Sequence, residues 1–405
     1  MAGGSFPVGA GITREELERE PHPALARLRE AEPVSWLPSL GGWLVTRRDL
    51  ALRVLRDPVT FTVDDPRFTT ARVVGPSMLS LDGAEHGRHR DPFADAFRVA
   101  EVRDRLESFA ASEAARLVAG LRERAGPAGQ PAHSAELRRG LAGPLAVSVM
   151  AEVLGLRDRD PAQVLAWYDS IVGAVTALTG DPREGAGPAQ VSRGRDAFCQ
   201  LRRSLGPVIR GEHGGSLLAA AVSGGTSRLS EDAVASNAAV LLFGGIETTE
   251  GMISNAVLHL LGHPGQLELV RRDPPLAAAA IEESLRLEPA AALVDRYATA
   301  DVRLAGACVR RGDLVSVSLA GANRDPAFFP DPELFDIRRP NARQNLAFAR
   351  GPHFCLGAHL ARIEARAALD ALLADLPGLR LDPVRPAEVR GLVFRKPQAL
   401  HVLWD

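Results

Sequence analysis

Apolar positions along the chain recur mostly at helical spacing. From about Glu85 to Leu287, Ala and Leu alternate with Arg and Glu at intervals of three and four, which predicts an almost wholly helical region. Gly- and Pro-rich joints interrupt it at GPAGQPAH, TGDPREGAGPAQ and SGGTSRLS, and the second reads as a mobile connection between two helices. Ahead of this region the pattern is mixed. A helix is expected from about Thr13 to Arg29. VSWLP and GWLVT then flank a Gly41-Gly42 turn as a hairpin, and RDLALRVLRD returns to helix. Residues 57–84 hold no steady period and read as a long loop, a kind of segment that is usually functional. Beyond Leu287, short alternating runs in VRLAGACVRRGDLVSVSLA predict a small β region with a Gly-Asp turn. An irregular stretch follows (NRDPAFFPDPELFDIRRP), then a helix ending near Leu376 and a last hairpin-like piece, RGLVFRKPQALHVLW. The predicted fold class is mainly α with a minor β region.

The 405 residues are 46% hydrophobic and 24% charged, with a formal net charge of -2, the profile of an ordinary soluble globular protein. That balance argues against nucleic acid or an acidic membrane surface as partner. No apolar run approaches the roughly 18 residues of a membrane span. MAGGSFPVGAGITREELEREP has no basic segment leading into an apolar one, so no signal peptide is expected. Cys199, Cys308 and Cys355 are too few and too far apart for a disulfide framework and fit a reducing, cytoplasmic location. Lys396 is the one lysine among 48 Lys and Arg, which with the abundant Ala and Gly hints at a high-GC bacterial genome.

SEDAVASNAAVLLFGGIETTEGMISNAVLHLLGH reads as one long helix, with Ser230 as N-cap and Glu231 and Asp232 in the first turn, where the helix dipole favours anions. Gly244 and Gly245 fall in its middle, each costing about 1 kcal/mol relative to Ala. Glu247, Thr248 and Thr249 follow at once. In one reading the glycines let another helix approach and Glu247 faces water. In the other they open room for a ligand, beside which Thr and Glu supply a hydroxyl and a proton source. Glu250 is expected to face solvent, with a polar substrate group as the alternative.

In AAAAIEESLRLEP, Glu283 and Arg286 stand three apart on one helix face. On a surface such a pair contributes at most about 1 kcal/mol. Ten residues on, Arg296 is a candidate to face a buried anion. Cys355, in GPHFCLGAHLAR, sits between a Gly-Pro turn and an expected helix. It is an inert buried thiol by default. With His353 and His359 it offers zinc-ligand types, but at unconvincing spacing and without a fourth ligand. Or it is the proximal thiolate of a haem iron. Gly351-Pro352 makes a turn, and Gly357 lets backbone pass a flat ligand. The N–H groups at a helix start also stabilise a thiolate.

FARGPHFCLGAHLAR, residues 348–362, resembles the haem-binding loop of the cytochrome P-450 superfamily, F-G-x-G-x-H-x-C-x-G-x-x-L-A-R, with Ala349 where glycine is usual. FGGIETT resembles the family's oxygen-cleft helix motif, EESLR its E-x-x-R and NRDPAFFPDPELFDIRR its meander. GAEHGRHR resembles the helix that supplies a His and an Arg to the haem. The likeness spans essentially the whole chain. It implies a triangular helical prism with small sheets, one domain over residues 1–405, and haem b between the long central helix and the helix following the cysteine loop. Cys355 would be the fifth iron ligand, with Phe348, Gly357, Gly244 and Gly245 at the haem. His86, Arg90, Arg296 and His353 match the propionate-binding positions. Glu283 and Arg286 become a structural network whose third member is Arg339, with Arg338 as the other candidate. Thr248 matches the threonine that holds and protonates bound dioxygen, and Glu247 the acid that feeds it protons.

By the same resemblance the substrate pocket is lined by Phe68, Met78 and Leu79 of the long loop, by Val240 and Phe243, by Ala292, Leu293 and Val294, and by Leu392, Val393 and Phe394. Their apolar character implies a small, largely apolar substrate, oxidised with O2 in bacterial secondary metabolism. Electrons from NAD(P)H are expected to arrive through a ferredoxin and a ferredoxin reductase, since no flavin or ferredoxin segment is evident. Arg103, Arg350 and Arg362 are candidates to meet an acidic ferredoxin. Two rivals stay open: oxidative C–C or C–N coupling at the same haem, and a non-catalytic haem sensor, against which Glu247-Thr248 speaks.

Overall fold

The computed structural model describes residues 6–124, 133–156, 158–179, 187–212, 217–223 and 229–405. They group into two compact units. One comprises Met1–Thr62, Ala111–Ala142 and Thr248–Asp405, the other Val63–Ala110 and Gly143–Glu247. The first unit carries the sheets. Its five-stranded sheet orders the strands as Val34–Leu37, Gly42–Val45, Leu314–Ser318, Leu293–Ala298 and Phe61–Thr62. The expected hairpin is there: Trp36 pairs with Trp43, and Gly41 turns the chain at φ +61, a conformation glycine adopts without a steric cost. Trp43, Val45, Val315 and Val317 bury their side chains against Val54 and Leu55 of the helix Arg48–Arg56.

Three expectations need correction in this unit. The N-terminal helix is two, Arg14–Arg19 and Pro21–Ala31. Glu20 stands before Pro21 and leaves the helical region at φ -140, ψ 76, because the proline ring crowds an α conformation in the residue ahead of it. His133–Glu136, inside the span read as helical, is a strand. The final piece is no simple hairpin either. Val389–Arg390 pairs with Lys396–Pro397, whereas His401–Trp404 pairs with His133–Glu136 and Arg380–Leu381.

The second unit is helical, with Gly83–Ala94, Gly143–Leu154, Pro161–Thr179 and Pro188–Ile209 as its main members. The segment 57–84 is not a bare loop, since it holds the strand Phe61–Thr62 and the helix Thr69–Val74. The connection read from TGDPREGAGPAQ lies largely outside the described residues. The long helix Glu231–Gly262 begins in this unit and ends in the other. Ser230 caps it as expected, its hydroxyl accepting from Ala233 N at 3.2 Å. Among the described residues no helix is long and apolar enough to cross a membrane.

Candidate functional site

Cys355 lies half-buried in the turn ahead of the helix Ala358–Asp375. Its N–H donates to Phe348 O and that of Phe354 to Gly351 O, both at 3.0 Å, so the loop folds back on itself. Gly351 takes φ +80, and a Cβ there would stand 2.2 Å from Leu55 O; only glycine allows this approach. Ala349 also has positive φ, +56. That backbone costs an alanine about 1 kcal/mol, and burying its methyl in the core with Val54 and Leu55 returns a similar amount, about 0.8 kcal/mol. A Cβ at Gly357 would meet nothing within 4 Å. Among the described residues no three His, Cys, Asp or Glu side chains gather to hold a metal ion, so His353, Cys355 and His359 do not converge as a zinc site requires.

The loop is tied to the E-x-x-R helix, Leu276–Leu287, by a residue the motif does not name. Glu282 accepts from Arg362 Nη2 and Asn345 Nδ2, each at 3.2 Å, and the Arg362 guanidinium lies 4.5 Å over the Phe348 ring. Glu283 and Arg286 are fully buried, at 0% exposure each. All five guanidinium N–H donors of Arg286 are used. Two go to Glu283 at 2.8 Å, and three to the carbonyls of Asn323, Pro332 and Leu334. Arg339, rather than Arg338, donates to Glu283 at 3.0 Å. Burial removes the surface-pair reading.

The two mid-helix glycines differ. Gly244 and Thr248, four apart, share one face of the long helix, and a Cβ built at Gly244 would meet no atom within 4 Å. A Cβ at Gly245 would stand 2.3 Å from Met150 Sδ, so this glycine serves close packing. Glu247 does not face water: it is buried and accepts a hydrogen bond from the Tyr168 phenol. Glu250 does not face solvent either. It is buried against Arg138, at 2.9 Å, and Lys396. The reason is packing, since the next residue, Gly251, comes so close to Ala290 that a Cβ would stand 2.9 Å from it.

Arg296 is buried on the strand Leu293–Ala298, with Nη1 donating to Asp295 O at 2.7 Å, and His353 is half-buried in the cysteine loop. In the other unit His86 and Arg90 lie four apart, on one face of Gly83–Ala94. Neighbouring His89 is buried, which pushes its pKa down. Its Nδ1 contacts Asn237 Nδ2 at 3.1 Å, and Asn237 Oδ1 accepts from Met78 N at 2.8 Å. The segment carrying Phe68, Met78 and Leu79 is thereby bonded to the part of the long helix that carries Val240 and Phe243. In the first unit Ala292 N donates to Val393 O at 2.8 Å, and Ala291 pairs with Phe394. Arg350 donates to the carbonyls of Ala349 and Asn345, while Arg103 pairs loosely with Glu107 at 3.8 Å.

A mainly helical chain with small sheets, and a cysteine turn that leads straight into a helix, has the make-up of a haem-thiolate oxidoreductase. Residues 215–377 match the cytochrome P450 family. The cytochrome P450 monooxygenase PikC of Streptomyces venezuelae is 36% identical, over 97% of this chain and 93% of that protein. The nocardicin C N-oxygenase of Nocardia uniformis subsp. tsuyamanensis is 34% identical, over 99% and 98%. The crystal structure of P450BioI with a hexadec-9Z-enoic acid-ligated acyl carrier protein superposes with a TM-score of 0.84 at 28% identity, covering 95% of this chain and 98% of that one. The chain belongs to the cytochrome P450 family. It is a P450 monooxygenase, and membership implies a haem held by a cysteine thiolate and, in general, redox partners that supply electrons.

Proposed function

We propose that Cys355 is the thiolate ligand of the haem iron, and that the protein oxidises a small, largely apolar molecule of bacterial secondary metabolism. In this reading the two units serve as one catalytic domain over residues 1–405. The observation that carries it is the cysteine turn. A half-buried thiol, pinned through its own N–H to Phe348, stands just ahead of the start of an 18-residue helix, where unpaired N–H groups favour the anion over the thiol. The open space at Gly244, where a Cβ would meet no atom within 4 Å, suits a flat group lying against backbone.

When bound, the haem supplies oxygen activation, with the thiolate pushing electron density onto iron. The remaining work falls to side chains. His86, Arg90, Arg296 and His353 would hold its two carboxylates, the guanidinium groups forking around them. Thr248 Oγ1 would hold a proton on the Gly244 face, and Glu247, kept in place by Tyr168, would resupply it. Phe68, Met78, Leu79, Val240, Phe243, Ala292, Leu293, Val294, Val393 and Phe394 would exclude water and hold the substrate. Electrons from NAD(P)H would come through a ferredoxin and its reductase. Arg350, beside the exposed Phe354 ring, is the strongest docking candidate, because Arg362 is committed to Glu282.

The test is reconstitution with haem. The reduced carbonyl adduct is expected to absorb as a thiolate-ligated pigment in the parent and to lose that signature in Cys355→His. With a substrate found by its shift of the haem absorption, label from dioxygen should enter the product. An unlabelled dimer or adduct would mean coupling instead, and an imidazole-type spectrum from the parent would overturn the assignment of Cys355.

A further inference from the structure

Lys396 is the one lysine among 48 Lys and Arg, and it is buried, at 8% exposure, against Glu250 at 7%. Two charges taken out of water need close partners. Glu250 has a second one in Arg138, which also donates to Gln398 O at 2.8 Å. Gly251 lies alongside in ordinary van der Waals range, since a Cβ built there would stand 3.5 Å from Lys396 Cβ.

The preceding residue is anchored as well. Arg395 Nε pairs with Glu288 at 2.8 Å, and its Nη1 holds Gly391 O at 2.7 Å and Glu18 O at 3.0 Å. Between Gly391, at φ +119, and Arg395 the chain makes the tight turn that presents Leu392, Val393 and Phe394. Arg395 therefore ties this turn to the E-x-x-R helix, and Lys396 ties it to the long helix. On that helix Glu250 points about 200° away from Thr248, so the pair grips the back of the segment whose front carries the threonine.

We propose that Glu250 and Lys396 are positioning residues: their pairing sets where the Leu392–Phe394 turn stands relative to Thr248, and so which part of a substrate reaches the threonine. A charge pair in a dry site depends steeply on distance, whereas an apolar contact lets two surfaces slide. The proposal rests on the reading that this turn lines the substrate site.

The test uses the haem-loaded full chain, titrated with imidazole and with 4-phenylimidazole and followed by haem absorption. Imidazole needs no help from the turn; the phenyl ring of the second ligand does. Lys396→Met removes the charge and keeps the length. Adding Glu250→Gln leaves no carboxylate stranded, and the amide still accepts from Arg138. In both variants 4-phenylimidazole is expected to bind about tenfold more weakly, with imidazole unchanged. Thermal stability lost in the single variant is expected to return in the double. A double variant that binds both ligands as the parent does, or that loses both equally, overturns the proposal. Failure of the haem-thiolate reading would look different, because the parent's own reduced carbonyl adduct would then lack the thiolate signature, whatever the two ligands do.

Discussion

The Tyr168 phenol donates to Glu247 Oε2, and both side chains are buried, at 6% and 7% exposure. Tyr168 lies on the helix Pro161–Thr179, and Glu247 immediately precedes Thr248. The acid proposed to resupply Thr248 is thus fixed by one of only two tyrosines in the chain. A buried carboxylate needs such a donor, because burial strips away its water.

Tyr168→Phe deletes that hydroxyl and keeps the ring. It is expected to cost about 1–2 kcal/mol of stability, read from the urea midpoint, and to raise the peroxide released per NAD(P)H consumed. Thr248→Ala, which removes the hydroxyl proposed to hold the proton, is expected to raise peroxide further. An unchanged peroxide yield in Tyr168→Phe would show that Glu247 needs no holding. Normal product yield in Thr248→Ala would remove the threonine from proton delivery.

The Glu283–Arg286 pair makes a second prediction. Arg286→Met would strand the carbonyls of Asn323 and Pro332, while Leu334 O keeps Arg339 Nη2 as a donor, and would leave Glu283 with Arg339 as its guanidinium partner. Breaking one side of a buried pair typically costs about 3–5 kcal/mol. Arg339→Met is expected to cost less, because Arg286 still grips the carboxylate with two bonds. Denaturation midpoints of the two variants check the ranking. Equal losses would mean that Arg339 is as central to the network as Arg286.

Features confined to one element could be read from the sequence, and features made by distant segments could not. The Cys355 turn and E-x-x-R each fit within a single loop or helix turn, and the Gly41 hairpin lies between adjacent strands. Gly244 and Gly245 were visible as a pair of anomalies, but only Met150, far upstream, distinguishes the packed one from the open one. Glu250 looked like a surface acid because its partners, Arg138 and Lys396, are remote in sequence. The strand HSAE shows no apolar alternation, since it exists by pairing with His401–Trp404. The break at Pro21 was written in the sequence, yet the apolar period continues across it.

His259 gives the fold an acid-side weakness. Its Nδ1 contacts Ser284 Oγ at 2.9 Å and its ring lies against Phe335, with centroids 5.6 Å apart. Burial pushes its pKa down to about 4, against an opposing pull from Glu288. The folded ring therefore stays neutral where the unfolded chain takes up a proton. Its contribution to stability is intact above about pH 6.5 and is lost as pH falls toward about 4. His259→Gln is expected to flatten the acid-unfolding profile over that window. A profile identical to the parent's would mean the ring protonates inside the fold.

Glu364 tilts stability the other way. It lies on the helix that follows the cysteine turn, 1% exposed, with Ala361, Ala365 and Ala368 buried on the same helix. Its Oε2 has no hydrogen-bond partner among the described residues. Burial pushes the carboxyl well above its ordinary value of 4.5, so the fold keeps a proton that the unfolded chain releases. That contribution is complete below about pH 4.5 and is lost as pH rises through the raised folded value. Glu364→Gln has the same shape and no proton to lose. It is expected to hold its urea midpoint between about pH 5 and pH 8, where the parent's declines. Glu364→Met, which places no polar atom in the core, is expected to exceed the parent near neutral pH by about 1–3 kcal/mol. If the Gln variant tracks the parent at every pH, the carboxyl is not held protonated, and the burial argument fails at this residue.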